Sequence, residues 1–170
     1  MVLLHSKTLP LGSSAPDFKL KGIDGKWHVL EDYASAKVLV LIFMCNHCPY
    51  VQKIWSELVT LDKNFPSEVQ MLGINSNGAN TAYPEDSFEK MKHYAQEKGQ
   101  SFPYLYDEDQ SAAEAYQAAC TPDIFVYGPD RCLAYHGAFE GLKTAVEALL
   151  EGQAPSKEQI HSMGCSIKWA

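Results

Sequence analysis

Seven consecutive apolar residues, Val38 to Met44, run straight into Cys45-Asn-His-Cys48-Pro49, and this junction constrains the fold more than any other stretch. A run that is apolar on every residue suits a strand covered on both faces, as in the middle of a parallel sheet. The period then changes. Val51, Ile54, Trp55, Leu58 and Leu61 recur at helical spacing over 49–63, which predicts an amphipathic helix. Its proline falls in the first turn, where the missing N–H would be unpaired anyway. The junction reads as buried strand, cysteine pair, helix.

The rest of the chain extends that unit. Asp24-Gly25, between Phe18-Lys-Leu and Trp27-His-Val-Leu, predicts a hairpin turn. Residues 69–75 read as a second buried strand, 76–83 as a polar loop and 84–98 as a helix. Tyr104-Leu-Tyr is a short strand and 111–119 an Ala-rich helix. A second hairpin is expected from 123–127 and 132–136 around Gly128-Pro-Asp-Arg, then a last helix over 142–151. From Pro155 onward the reading is a short helix and an irregular end carrying Gly164-Cys165. No repeat or linker divides the chain. The expectation is one α/β domain over 1–170: a central mixed sheet flanked by helices, with an N-terminal β-hairpin extension and a C-terminal tail over 155–170.

A domain of 170 residues buries a core without staples, so its five cysteines are not needed as crosslinks. The net charge of −7, with Lys and Arg scattered, argues against nucleic-acid binding. The longest apolar run falls far short of a membrane span. The N-terminus has no basic stretch followed by an apolar one, so a cytoplasmic location is expected. In that setting a Cys-x-x-Cys pair points to redox or metal chemistry.

Redox cysteines need a lowered thiol pKa, because the thiolate is the nucleophile. A helix N-terminus favours an anion, and the spacing assigns that position to Cys45, with Cys48 one turn later and buried. His47 between them adds positive charge when protonated, or is simply an exposed residue at the helix start. The pair could also be two structural cysteines. A closed zinc site needs two further ligands, and the chain has no second Cys-x-x-Cys, so neither metal nor cofactor is expected. Thr121-Pro122, ahead of an apolar strand, is a candidate cis bond facing the pair; the alternative is an ordinary trans proline opening a strand. Cys120 and Cys165 are candidate further redox residues or inert thiols, and Cys132 reads as packing.

Taken together, Gly12-Ser-Ser-Ala-Pro-Asp-Phe, Asn46-His-Cys-Pro-Tyr-Val, Thr121-Pro-Asp-Ile-Phe and Gly164-Cys-Ser-Ile-Lys-Trp resemble thioredoxin-fold redoxins. The resemblance lies where thioredoxin-like and peroxiredoxin-like (AhpC-TSA) domains overlap, in a bacterial group sharing the Cys45–Val51 motif. It implies a thioredoxin-like fold and thiol–disulfide exchange, with Cys45 attacking, Cys48 resolving, and His47, Pro49, Thr121 and Pro122 in support. Partners would be protein or small-molecule disulfides and a thiol reductant system. A histidine before the second cysteine implies a pair more oxidising than thioredoxin's. Several positions depart from these patterns. Met44 replaces the usual tryptophan, and residues 38–44 hold no buried carboxylate. Against peroxiredoxins, Cys48-Pro49 occupies the peroxidatic position, but Cys45 replaces the expected hydroxyl residue and the active-site arginine is missing near Thr121. Two further readings stay open: a peroxidase with Cys48 peroxidatic and Cys45, Cys120 or Cys165 resolving, and a copper carrier using the pair with His47 or His136.

Overall fold

The computed structural model describes residues 2–170, and in it the apolar run forms a strand with neighbours on both sides. In chain order the elements are β1 (Leu3–His5), β2 (Lys19–Gly22), β3 (Trp27–Val29), β4 (Val38–Phe43), α1 (Pro49–Asn64), β5 (Val69–Asn75), α2 (Phe88–Lys98), β6 (Tyr104–Tyr106), α3 (Ser111–Tyr116), β7 (Cys120–Thr121), β8 (Asp123–Tyr127), β9 (Leu133–Gly137), α4 (Leu142–Leu150) and β10 (Met163–Ser166).

The main sheet runs β3-β2-β6-β5-β4-β8-β9. β4, β5 and β6 are mutually parallel, and β8, β9 and the β2–β3 hairpin attach antiparallel. Successive side chains of β4 point to opposite faces, and both faces are covered. Val38, Val40 and Ile42 pack with Val51, Trp55 and Leu58 of α1, Met91 of α2 and Val146 of α4. Leu39, Leu41 and Phe43 pack on the other side with Ala112, Ala113 and Tyr116 of α3 and with Phe18 and Leu20. A central mixed sheet flanked by helices is the thioredoxin-like fold expected from the sequence.

Three details differ from the sequence reading. The first hairpin is not an appendage, because β2 bonds to β6 and so makes it the sheet's edge. α3 stops at Tyr116 rather than at residue 119, since Gln117 takes a left-handed φ of 56° and Ala118 N–H turns back to the Ala113 carbonyl. The tail carries no helix. Instead β10 lies antiparallel between β1 and β7 in a second, three-stranded sheet, and both of its edges find backbone partners. A three-residue N-terminal strand with no turn signal beside it, and a partner more than 150 residues away, leave no local pattern to read.

Candidate active site

The site forms where β4 ends and α1 begins. Met44 N–H donates to the Ile74 carbonyl, holding the chain to β5 one residue past the end of β4. Four residues then turn into the helix, and Cys48 is its N-cap, with Pro49 opening the first turn. This corrects the expectation that Cys45 occupies the helix N-terminus: the proline fixes the start three residues later. Both thiols are buried.

Asp86 clamps this turn. It is fully buried at the end of a single 3-10 turn, Pro84–Asp86, and its Oδ1 accepts from the backbone N–H of Asn46 at 2.8 Å and of His47 at 3.1 Å. Its Oδ2 lies 2.6 Å from His47 Nδ1 and accepts from Asn77 Nδ2 at 3.4 Å. Asn46 is fixed in turn by the Tyr104 hydroxyl at 2.9 Å and the Glu85 carbonyl at 2.9 Å. His47 therefore stands neither on the helix nor free in solvent. Its ring stacks on Tyr83 and faces a carboxylate. Sequence reading missed Asp86, which lies in a polar loop nearly forty residues from the motif; Pro84-Glu-Asp-Ser read only as the start of a helix.

The loop before β8 closes the other side. The Thr121–Pro122 bond is cis, as foreseen. Thr121 presents its hydroxyl 3.6 Å from Cys45 Sγ and its carbonyl oxygen 3.4 Å from Cys48 Sγ. Pro122 lines a cleft of about 320 Å³ with Tyr50, Lys53, Phe139, Glu140 and Met163. The edge of β7 is taken by β10, with Cys165 opposite Thr121. Cys165 thereby comes 3.1 Å from Cys48, Sγ to Sγ. Cys120 is buried with its thiol toward the Pro122 carbonyl. Cys132 is partly exposed just before β9 and is not core packing as expected.

The electrostatics also invert the expected order of the two thiols. A hydrogen bond from the Cys45 thiol holds Cys48 well below the usual thiol range, overcoming burial, and Thr121, Cys165 and the Val51 amide of the first helical turn add to it. Cys45 is pushed well above that range by its bond to Cys48, by burial and by the Asp86 carboxylate. Burial raises Cys120 and Cys165. The arrangement is thus one favoured thiolate, Cys48, with three protonated thiols around it.

Metal ligands are less well provided. Cys45, His47 and Asp86 bring one donor atom each within 4.8 Å of one another, but Asp86 Oδ1 already accepts two amide hydrogens. The two histidines considered for copper engage different carboxylates. His136 Nε2 lies 2.8 Å from Asp123 Oδ1 in a buried pair whose ring stacks on Phe125. The single arginine, Arg131, binds the carbonyls of Gly128, Tyr33 and Ala36 beside β9. No helix among the described residues is long and apolar enough to cross a membrane.

A model of the AhpC/TSA family matches residues 11–136. A thiol-disulfide oxidoreductase ResA from Geobacillus thermodenitrificans is 27% identical over 118 residues, which is 68% of this chain and 62% of that protein. The chain thus matches less than two thirds of that relative's length. The crystal structure of a conserved protein from Geobacillus kaustophilus, itself of uncharacterised function, is 43% identical. It superposes with a TM-score of 0.96 over 100% of this chain and 97% of that one. The thioredoxin domain of a thiol-disulfide oxidoreductase from Bacteroides vulgatus shares the fold at 18% identity, with a TM-score of 0.69 over 82% and 97% of the two chains.

Proposed function

The chain belongs to the AhpC/TSA family, and from that premise we propose that it is a thiol–disulfide oxidoreductase in which Cys48 attacks and Cys45 resolves. The observation that carries this reading is the N-cap position of Cys48, with Cys45 and Thr121 ranged around its sulfur. A thiolate there attacks one sulfur of a partner disulfide; the Cys48–partner bond forms, the partner's S–S bond breaks, and the leaving thiolate takes up a proton. Cys48 then carries no charge, which removes the main cause keeping Cys45 protonated. Cys45 gives up its proton and attacks Cys48 Sγ. The second partner sulfur leaves, and two electrons have passed from the dithiol to the partner. His47 and Asp86 position the turn that carries Cys45. A thiol reductant system would restore the pair, which suits a cytoplasmic setting.

A peroxidase reading has one observation in its favour, a low-pKa cysteine followed by proline at a helix start. Against it, Cys45 takes the place of a hydroxyl, and the only arginine is held elsewhere by three carbonyls. The copper-carrier reading needs a histidine as third ligand beside both cysteines, and the group of close donors among the described residues, Cys45, His47 and Asp86, leaves Cys48 out.

Insulin reduction with dithiothreitol as electron donor tests the assignment. Cys48→Ser should lose essentially all turnover, and Cys45→Ser/Cys165→Ser, which removes both thiols beside Cys48, should trap a mixed disulfide. Full turnover by Cys48→Ser would sink the reading, and consumption of hydrogen peroxide faster than insulin disulfide would favour the peroxidase.

A further inference from the structure

Cys165 takes no part in the cycle above, yet the fold brings it into the site. It lies 117 residues beyond Cys48 on β10, with 3.1 Å between their sulfurs. That strand is held on both sides, Cys165 being paired with Leu3 of β1 and with Thr121 of β7. Ser166 N–H donates to the Val2 carbonyl and Ile167 N–H to that of Ala119. Gly164 is what permits the approach: a Cβ there would stand 2.0 Å from the Thr121 carbonyl oxygen. The same carbonyl lies 3.4 Å from Cys48 Sγ, so the contact that seats the strand is shared with the contact that seats the nucleophile.

We propose that Cys165 is a third redox cysteine, which exchanges with Cys45 for Cys48 and converts a Cys45–Cys48 disulfide into a Cys48–Cys165 disulfide. The proposal rests on the thiol–disulfide reading above. The Cys165 thiolate attacks Cys48 Sγ; the Cys48–Cys165 bond forms, the Cys45–Cys48 bond breaks, and its electron pair stays on Cys45 Sγ. The proton released by Cys165 is taken up by Cys45, so the step is an isomerisation with no net oxidation. Burial and then the neighbouring Cys48 push Cys165 up to about 12 in the reduced protein. The second cause disappears once Cys48 is in a disulfide, which eases the loss of that proton when it is needed. The product ties the tail strand to the start of α1 and returns Cys45 to its thiol form beside Asp86.

Peptide mapping tests this directly. Trypsin releases residues 38–53 with Cys45 and Cys48 together, and residues 158–168 with Cys165 alone, while Cys120 and Cys132 fall in other peptides. The wild-type protein and its Cys45→Ser and Cys165→Ser variants are oxidised with glutathione disulfide, alkylated, digested without reductant and weighed. The wild type should yield both the internally bridged 38–53 peptide and a 38–53/158–168 cross-link. In Cys45→Ser the oxidised Cys48 should appear in the cross-link rather than as a glutathione adduct. In Cys165→Ser only the internal bridge should remain. Absence of the cross-link from oxidised wild-type protein, with the internal bridge present, overturns the proposal and leaves the Cys45–Cys48 cycle standing. Absence of both overturns the cycle as well.

Discussion

At the scale of single residues, the site depends on which sulfur carries the charge. The sequence pointed to both cysteines, His47 and the Thr121–Pro122 bond. It placed the helix start at Cys45, whereas Pro49 sets it at Cys48, and the contacts from Thr121, Cys165 and Asp86 that bias the two thiols are encoded in no local pattern. Cys48 is pushed down to about 4. A depressed thiol is anionic above its pKa and neutral below it, so one thiolate should persist through neutral pH and vanish as the pH falls through about 4. Ultraviolet thiolate absorbance of the reduced protein measures this. The signal should be lost in Cys48→Ser and kept in Cys165→Ala, with its midpoint moved up because one hydrogen-bond donor has gone. A midpoint in the ordinary thiol range would return the charge to neither cysteine.

At the scale of elements, the long β4 and β5 and helix α1 were legible because each carries its own period, and their bounds fall within a residue or so of expectation. β1 and β10 were not. Three and four residues carry too little pattern, and β10 is held only by distant partners, β1 on one side and β7 on the other. Gly164 is the residue on which the pairing with β7 turns. Gly164→Ala puts a methyl 2.0 Å from the Thr121 carbonyl, a backbone atom that cannot swing away. Overpacking of this kind costs about 1–3 kcal/mol. Urea denaturation should show a loss of that size, and β10 should lift enough to deplete the Cys48–Cys165 cross-link while the Cys45–Cys48 bridge still forms. An unchanged midpoint would mean that β10 is free to move at no cost.

For the whole molecule, the expected single domain with a tail over 155–170 becomes a question of cooperativity, since β1 and β10 join the two ends of the described chain in one sheet. If the tail belongs to the domain, it should unfold with it. In a W27F/W55F variant the remaining indole, Trp169, reports the tail, where its carbonyl accepts from Asn80 Nδ2 at 2.9 Å. Its fluorescence should follow the same urea transition as far-ultraviolet ellipticity, and an earlier fluorescence midpoint would make the tail a separate unit. The separation of 117 residues between Cys48 and Cys165 has a consequence for synthesis. A ribosome adding about 5–20 residues per second needs on the order of ten seconds to make the intervening stretch. For most of that time the nascent chain carries a complete Cys45–Cys48 pair without the Thr121 carbonyl, and for all of it without β10 over it. The newborn protein is therefore more open to oxidants than the finished one, and closure of the tail is the event that ends its exposure.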